Sequence, residues 1–338
     1  MRGLIGPARA AIGATALVAA LATTLTACGE SGGETASGSG LDGLSIMVPA
    51  EPGGGWDQTG RAVQKALDDS GLASGVEVSN VGGAGGTVGL AQLANQRGGD
   101  TTLMVTGLVM VGAVETNQSQ VRLEDTTPIA RLTSEDLIVV VPAESPYQTV
   151  DDLVDDILAN GKDVAVTGGS AGGADHILAG LLLKDAGVPA EELSDTLNYV
   201  AYSGGGESLA ALLGNQVDAG ISGIAEYSEQ VAAGELRALA VSGSEPVEGI
   251  DAPTLTEAGY DVELTNWRGL VARGELEDDD RQALVDLATD LHESEEWQAE
   301  LERTGWGDAF LAGDEFGEFL TEDIASVQNV LRDIGLVQ

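Results

Sequence analysis

One device recurs four times along this chain: a short apolar run, a cluster of glycines, then apolar residues at helical spacing. The first copy is Ser45 to Leu67, SIMVPAEPGGGWDQTGRAVQKAL. Ile46 to Val48 read as a buried strand that Pro49 ends. Gly53, Gly54 and Gly55 form a loop ahead of Trp56 and Asp57, and Ala62, Val63, Ala66 and Leu67 share one helical face. The second copy joins a strand at Val76 to Asn80, a loop from Gly82 to Thr87, and a short helix carrying Leu90, Ala91, Leu93 and Ala94. The third joins Val164 to Thr167, Gly168 to Gly173, and Ile177, Leu178, Leu181 and Leu182. The fourth joins Asn198 to Tyr202, Ser203 to Gly206, and Leu209, Ala210, Leu212 and Leu213. Such a loop gathers free backbone N–H groups and the positive end of a helix dipole at one point. Carboxylates and phosphates bind there without needing Lys or Arg. The competing reading of any single copy is a tight turn with no ligand.

Strands alternating with helices imply an α/β fold, with mainly parallel sheets and helices on both faces. In such sheets ligands sit beyond the carboxyl ends of the strands. Further strands are expected at Thr102 to Thr106, Ile129 to Leu132, Leu137 to Val141, Ala219 to Ser222, Leu236 to Val241 and Leu264 to Ala272. Val150 to Ala159 reads as a helix with Thr149 as its N-cap. Two helices close the chain, at Asp278 to Glu293 and Asp314 to Ile334. Pro142 to Pro146 interrupts the pattern, with two glycine loops before it and two after. Two sheets offering a pair of loops each, facing across one cleft, is the geometry of a hinged two-lobed binding protein.

The 338 residues suffice for such lobes to hold real cores, and 43% of them are apolar. The charge balance removes whole classes of partner. With 55 acids against 15 bases the net charge is −40, which speaks against nucleic acid, since phosphate binding needs clustered Lys and Arg. The one cysteine, Cys28, allows no internal disulfide. His176 and His292 stand far apart, and no metal-ligand spacing occurs, so no metal or cofactor is expected.

Arg2 and Arg9 are the only charges before Glu30, and Ala10 to Leu25 is apolar and Ala-rich. This is the pattern of an export signal. Its end, Leu25-Thr26-Ala27-Cys28, resembles a bacterial lipobox, in which the leader is cut before the cysteine and the thiol is acylated. Residues 1–27 are therefore expected to be a lipoprotein signal peptide. Cys28 would be the lipid anchor in the cell membrane, and 28–43 a flexible Gly/Ser tether. The folded part would then lie outside the cytoplasm. A plain signal peptide or a membrane-spanning anchor is the competing reading. No later apolar run reaches the length of about 18 residues that a span requires.

VPAEPGGGWDQTGR, VGGAGGTVG and TPIARLTSEDLIVVVPAESPYQTVDDL, followed by TGGSAGGADH and YVAYSGGGESLAALLGNQVDAG, resemble the tripartite tricarboxylate transporter substrate-binding family, also called the Bug or TctC type of extracytoplasmic solute receptor. AAGELRALAVSG, APTLTEAGY and the strand around Trp267 continue the resemblance in order. It covers about Leu44 to the C-terminus. It implies a two-lobed periplasmic-binding-protein fold, with 44–141 and 243–338 as the first lobe and 142–242 as the second. It also implies capture of a small carboxylate (a di- or tricarboxylate, an aromatic acid or an amino acid) for membrane permease subunits driven by an ion gradient. In the family one carboxylate is held largely by backbone amides and waters. Residue by residue, that points to Gly53, Gly54, Gly55 and Asp57, then to Gly85, Gly86 and Thr87. The second lobe would offer Ser170, Ala171, Ser203, Gly204 and Gly205. Asp57 is expected to cap its helix and orient the loop. Tyr202 borders the fourth loop and is a candidate for the cleft lining. The chain departs from the family pattern at Ala50, where an aromatic is usual, and at Glu51 and Trp56, where small residues are usual. Glu51 would repel an anion unless it points outward or meets an amine, whereas Trp56 would close over an aromatic or cyclic acid.

Rival readings are weaker. Gly168-Gly169-Ser170-Ala171-Gly172 fits the G-x-S-x-G of a nucleophile elbow between a strand and a helix. A hydrolase triad on Ser170 would still need His292, which reads as helical, or the adjacent His176. No phosphate-binding G-x-x-x-x-G-K-[ST] occurs. A lipoprotein that presents its ligand to a sensor kinase remains open. Trp267, Trp297 and Trp306 are read as packing residues.

Overall fold

The computed structural model describes residues 43–98, 101–202 and 205–337. The signal segment, Cys28 and nearly all of the tether lie outside the described residues, as do Ser203 and Gly204. The first three glycine devices fold as their patterns predict; of the fourth, the strand and the helix are described. β1 (Ser45–Val48) runs into α1 (Gly55–Ser70), which buries Ala62, Val63, Ala66 and Leu67. Full burial of a side chain the size of Val63 or Leu67 contributes about 1.5–3 kcal/mol, and of an alanine methyl less. Gly71, in the left-handed region at φ 74°, ends the helix. β2 (Glu77–Asn80) leads through a tight turn at Ala84–Gly86 into α2 (Thr87–Ala94). β3 (Thr102–Gly107) is buried along its whole length, and α3 (Leu108–Thr116) follows directly.

β4 (Thr127–Pro142) is one 16-residue strand where the sequence reads as two. The polar stretch Thr133-Ser134-Glu135-Asp136 looks like a break by hydropathy. Its backbone nevertheless stays paired, Thr133 to Asp136 facing Arg268 to Thr265, and the Glu135 side chain is satisfied in the interior. Then come α4 (Val150–Asn160), β5 (Ala165–Gly168), α5 (Ala174–Asp185), α6 (Ala190–Thr196), β6 (Asn198–Ala201) and α7 (Gly205–Leu213). Thr149 caps α4 as expected, accepting from the Asp152 N–H in a capping box. The remaining elements are β7 (Ala219–Gly223), α8 (Ile224–Ala232), β8 (Leu236–Val241), β9 (Thr265–Ala272), α9 (Asp278–Glu293), α10 (Glu295–Thr304), β10 (Gly307–Ala312) and α11 (Gly313–Asp333).

The strands form two sheets that share β4. One runs β2-β1-β3-β9-β4, with β10 also on β4; the other runs β4-β7-β5-β6, with β8 also on β4. The strands of the glycine devices pair in parallel, β1 with β2 and β3, and β5 with β6 and β7. The strands that join the two sheets, β9, β4, β7 and β8, pair antiparallel, so the complete assembly is mixed. Among the described residues no helix is long and apolar enough to cross a membrane.

Candidate functional site

A cavity of about 410 Å³ opens where the N-terminal ends of α1, α2, α5, α7 and α8 converge on the floor made by β9. That volume is in the range of small-molecule sites. Gly54, Gly55, Trp56, Gly85, Gly86, Ser170, Ala171, Tyr202 and Gly205, all singled out from the sequence, line it together. Gly53, Asp57 and Thr87 do not. Glu51 stands exposed at the rim.

In the first loop Gly54 precedes α1 without a side-chain cap. The Gly53 N–H turns back to Asp57 Oδ2 at 2.9 Å. Asp57 also accepts from Arg61 Nε at 2.9 Å and from Asn80 Nδ2 at 2.9 Å. Burial alone would raise its carboxyl, but these hydrogen bonds outweigh burial and hold it below the usual range. Asp57 therefore orients the loop through the Gly53 N–H, whereas the helix-capping bond expected of it is not formed. Trp56 is only 7% exposed and wedges under the second loop. Gly86, at φ 92°, makes room for it: a Cβ there would lie 2.6 Å from the Trp56 ring and from Met110 Cε. Thr87 Oγ1 closes its own turn by donating to the Ala84 carbonyl at 3.0 Å, which commits its hydroxyl proton to the loop.

The third loop repeats the arrangement. The Gly169 N–H donates to Asp175 Oδ2 at 2.6 Å, and the Gly172 N–H donates to His176 Nδ1 at 3.1 Å. His176 stacks on Tyr199 with 4.0 Å between ring centroids, and burial pushes its imidazole down to about 4, so it is neutral and free to accept. No hydrogen bond joins His176 to Ser170 among the described residues, which leaves the elbow-like serine without the base a triad needs.

Sequence reasoning did not single out the charged groups here. Arg268 on β9 is 3% exposed and pairs through Nη2 with Glu135 Oε2 at 2.6 Å, while Glu135 Oε1 accepts the Ala225 N–H at 2.8 Å. Its remaining Nε and Nη1 are buried without partners among the described residues. Asn266, 6% exposed on the same floor, leaves its Oδ1 unpartnered. Glu226, in the first turn of α8, accepts from the Gly55 N–H at 2.9 Å and from Ser222 Oγ. Desolvation raises Glu226; the Ser222 bond opposes this and Glu135 adds to it. Burial pushes Asp175 up to about 7, against the pull of the Gly169 N–H and with help from Glu226 and Glu135. The sequence did carry signals: one arginine in the apolar strand TNWRGLVA, and two acids inside the apolar run of β4. Several of the loop N–H groups are held by the chain's own side chains, and a buried arginine with two unpartnered donors is part of the same lining.

The family model described as "Tripartite tricarboxylate transporter family receptor" matches residues 60–336. The chain belongs to this family. Its members are receptors rather than enzymes. The UPF0065 protein of the TAR-I ttuE–ttuC' intergenic region of Agrobacterium vitis is 31% identical over 234 residues, covering 68% of this chain and 65% of that protein, a little under two thirds of its length. BugT of Bordetella pertussis is 26% identical over 305 residues, covering 86% and 89%. The periplasmic binding protein BugD superposes with a TM-score of 0.77 at 20% identity, over 87% of this receptor and 98% of BugD. MatC from Rhodopseudomonas palustris, solved with malate bound, gives 0.74 at 21% identity over 85% and 98%. The receptor's fold is the two-lobed α/β fold of periplasmic binding proteins.

Proposed function

We propose that this chain is an extracytoplasmic receptor that captures a small carboxylate-bearing solute in the cavity above β9 and delivers it to the permease subunits of a tripartite tricarboxylate-type secondary transporter. In this reading Cys28 is acylated and ties the receptor to the membrane. The lobes are 44–141 with 243–338 and 142–242, and they move about β4. The convergence of the N-terminal ends of α1, α2, α5, α7 and α8 on one cavity carries the reading, with Arg268, the one basic residue of its lining, buried beneath them. A solute carboxylate would be drawn to those helix ends and to that charge. The N–H groups at the mouths of α1 and α5 and the Ser170 hydroxyl would complete its shell. Malate bound to MatC gives a precedent in a protein of the same fold. The net charge of −40 does not forbid an anion. Contacts of about 3 Å outcompete surface charges, which are screened beyond roughly 8 Å at physiological salt.

A thermal-shift screen of di- and tricarboxylates, aromatic acids and amino acids tests this. A ligand at 100 times its Kd stabilises the native state by about 2.7 kcal/mol, and at least one acid is expected to raise Tm accordingly. Gly54→Asp should abolish that shift while the fold survives, since Gly54 has an ordinary φ of −83° and a Cβ there meets only Glu226 Oε1, at 3.8 Å. Absence of any acid hit, or an undiminished shift in the variant, overturns the reading.

A further inference from the structure

We propose that Glu226 is a built-in stand-in for the solute: its carboxylate fills the seat at the mouth of α1 and holds the receptor closed while no solute is bound. This inference rests on the receptor reading above and concerns how the empty receptor is held, whatever solute it takes.

Four loop N–H groups around the cavity are bonded by side chains, and one of those bonds differs from the rest. Asp57 accepts from Gly53, Asp175 from Gly169 and His176 from Gly172, each acceptor standing four to six positions along, in the helix directly behind its own loop. Glu226 accepts from Gly55 at 2.9 Å across 171 positions. Gly55 opens α1, which follows β1 of the first sheet, and Glu226 lies in the first turn of α8, which follows β7 of the second. The first three bonds shape a loop. The fourth ties a helix of one sheet to a helix of the other across the cavity.

The seat suits an anion. Gly54 leads into α1 without a side-chain cap, so the first N–H groups of the helix have no partner within it, and a carboxylate is favoured there. Glu226 supplies that carboxylate from outside. Its other oxygen accepts from Ser222 Oγ. The same group lies against the start of α7, where a Cβ on Gly205 would overlap it, and a Cβ on Gly54 would touch it at 3.8 Å. One carboxylate thus meets the mouths of α1, α7 and α8, three of the helix ends whose convergence makes the cavity. The seat is filled but not tightly held. Arg268 forms its ion pair with Glu135, and desolvation raises the Glu226 carboxyl; a buried charge without its own cation is costly. A solute carboxylate can therefore displace it, and the apparent affinity of the receptor is lowered by the fraction of molecules whose seat is already taken.

Small-angle scattering of the receptor at pH 7.5, freed of carried-over solute, tests this. Wild type should give the scattering curve of this structure. Glu226→Ala should give a radius of gyration a few per cent larger. Sodium acetate, a probe with the same head group, should restore the compact curve, and sodium chloride at equal ionic strength should not. In an NMR titration acetate should bind the variant at least tenfold more tightly than wild type, whose seat is occupied. Glu226→Asp keeps the charge in the first turn of α8 but falls one methylene short of Gly55. It should open likewise, which covers the case in which the alanine variant does not fold. A compact curve for the folded variants overturns the inference and leaves the receptor reading intact. Acetate that leaves the alanine variant open, or binds it no better than wild type, overturns it too. A thermal-shift screen without any acid hit removes both.

Discussion

Asp57 and Asp175 occupy the same place in two copies of one device, yet they live in opposite electrostatic worlds. Each stands in the first turn of a helix and takes the N–H of a loop glycine, Gly53 or Gly169. Asp57 faces Arg61 and Asn80, away from the cavity, and is held low. Asp175 faces the cavity, Glu226 and Tyr199, forms no ion pair among the described residues, and burial pushes it up to about 7 against the pull of the Gly169 N–H and the more distant Arg268. The comparison teaches that a capped glycine loop is a scaffold. What the loop does depends on which charges the neighbouring strands bring to it.

The largest effect should come from breaking the compensated member. Asp57→Ala strands the Gly53 N–H, Asn80 Nδ2 and Arg61 Nε together, and loss of bonds to a buried charge is expected to cost about 2–3 kcal/mol in urea unfolding. Because Asp57 titrates below its unfolded value, its contribution is present above that value and is lost as pH falls through the folded one. The gap between variant and wild type should therefore close in acid. Asp175→Asn should change stability by less than about 1 kcal/mol near pH 5, since the amide oxygen still accepts the Gly169 N–H. Its signature is the pH profile. The native state keeps a proton that the unfolded chain gives up near 3.8, so wild-type Tm should fall as pH rises from about 4 to about 7. The variant should flatten that slope, and an unchanged slope would place the titration elsewhere. The smallest effect is Arg61→Ala. Arg61 is half exposed and its ion pair contributes roughly 0.5 kcal/mol, but carboxyl NMR should show Asp57 titrating higher. If Asp57 does not move, its low value comes from Asn80 and Gly53 alone.

The sequence made the devices legible because glycine clusters and helical spacing are local. β1 with α1, β5 with α5, and the Thr149 cap all follow from residues within one turn or loop. What escaped was settled by distant partners. α3 is apolar nearly all round and buried, so it shows no amphipathic period. α10 begins immediately after α9, at Ser294, whose hydroxyl accepts the Trp297 N–H, and β10 follows the left-handed Gly305 as a short strand on β4. Within the candidate site, the glycines that make the walls were readable. Arg268, Glu135 and Glu226 were not, because nothing within four residues of any of them foretells a partner more than 80 positions away.

β4 exchanges neighbours between Asp136, which pairs with Thr265 on β9, and Leu137, which pairs with Gly223 on β7. Glu135 sits one residue before that crossing and spans it, one oxygen on Arg268 of the first sheet and the other on the Ala225 N–H in the first turn of α8, the helix that follows β7 of the second. A tilt of one sheet against the other at this joint would load one of those two bonds. Posture and polarity would then be geared together: a tilt would loosen the grip on the arginine, and neutralising the arginine would relax the joint.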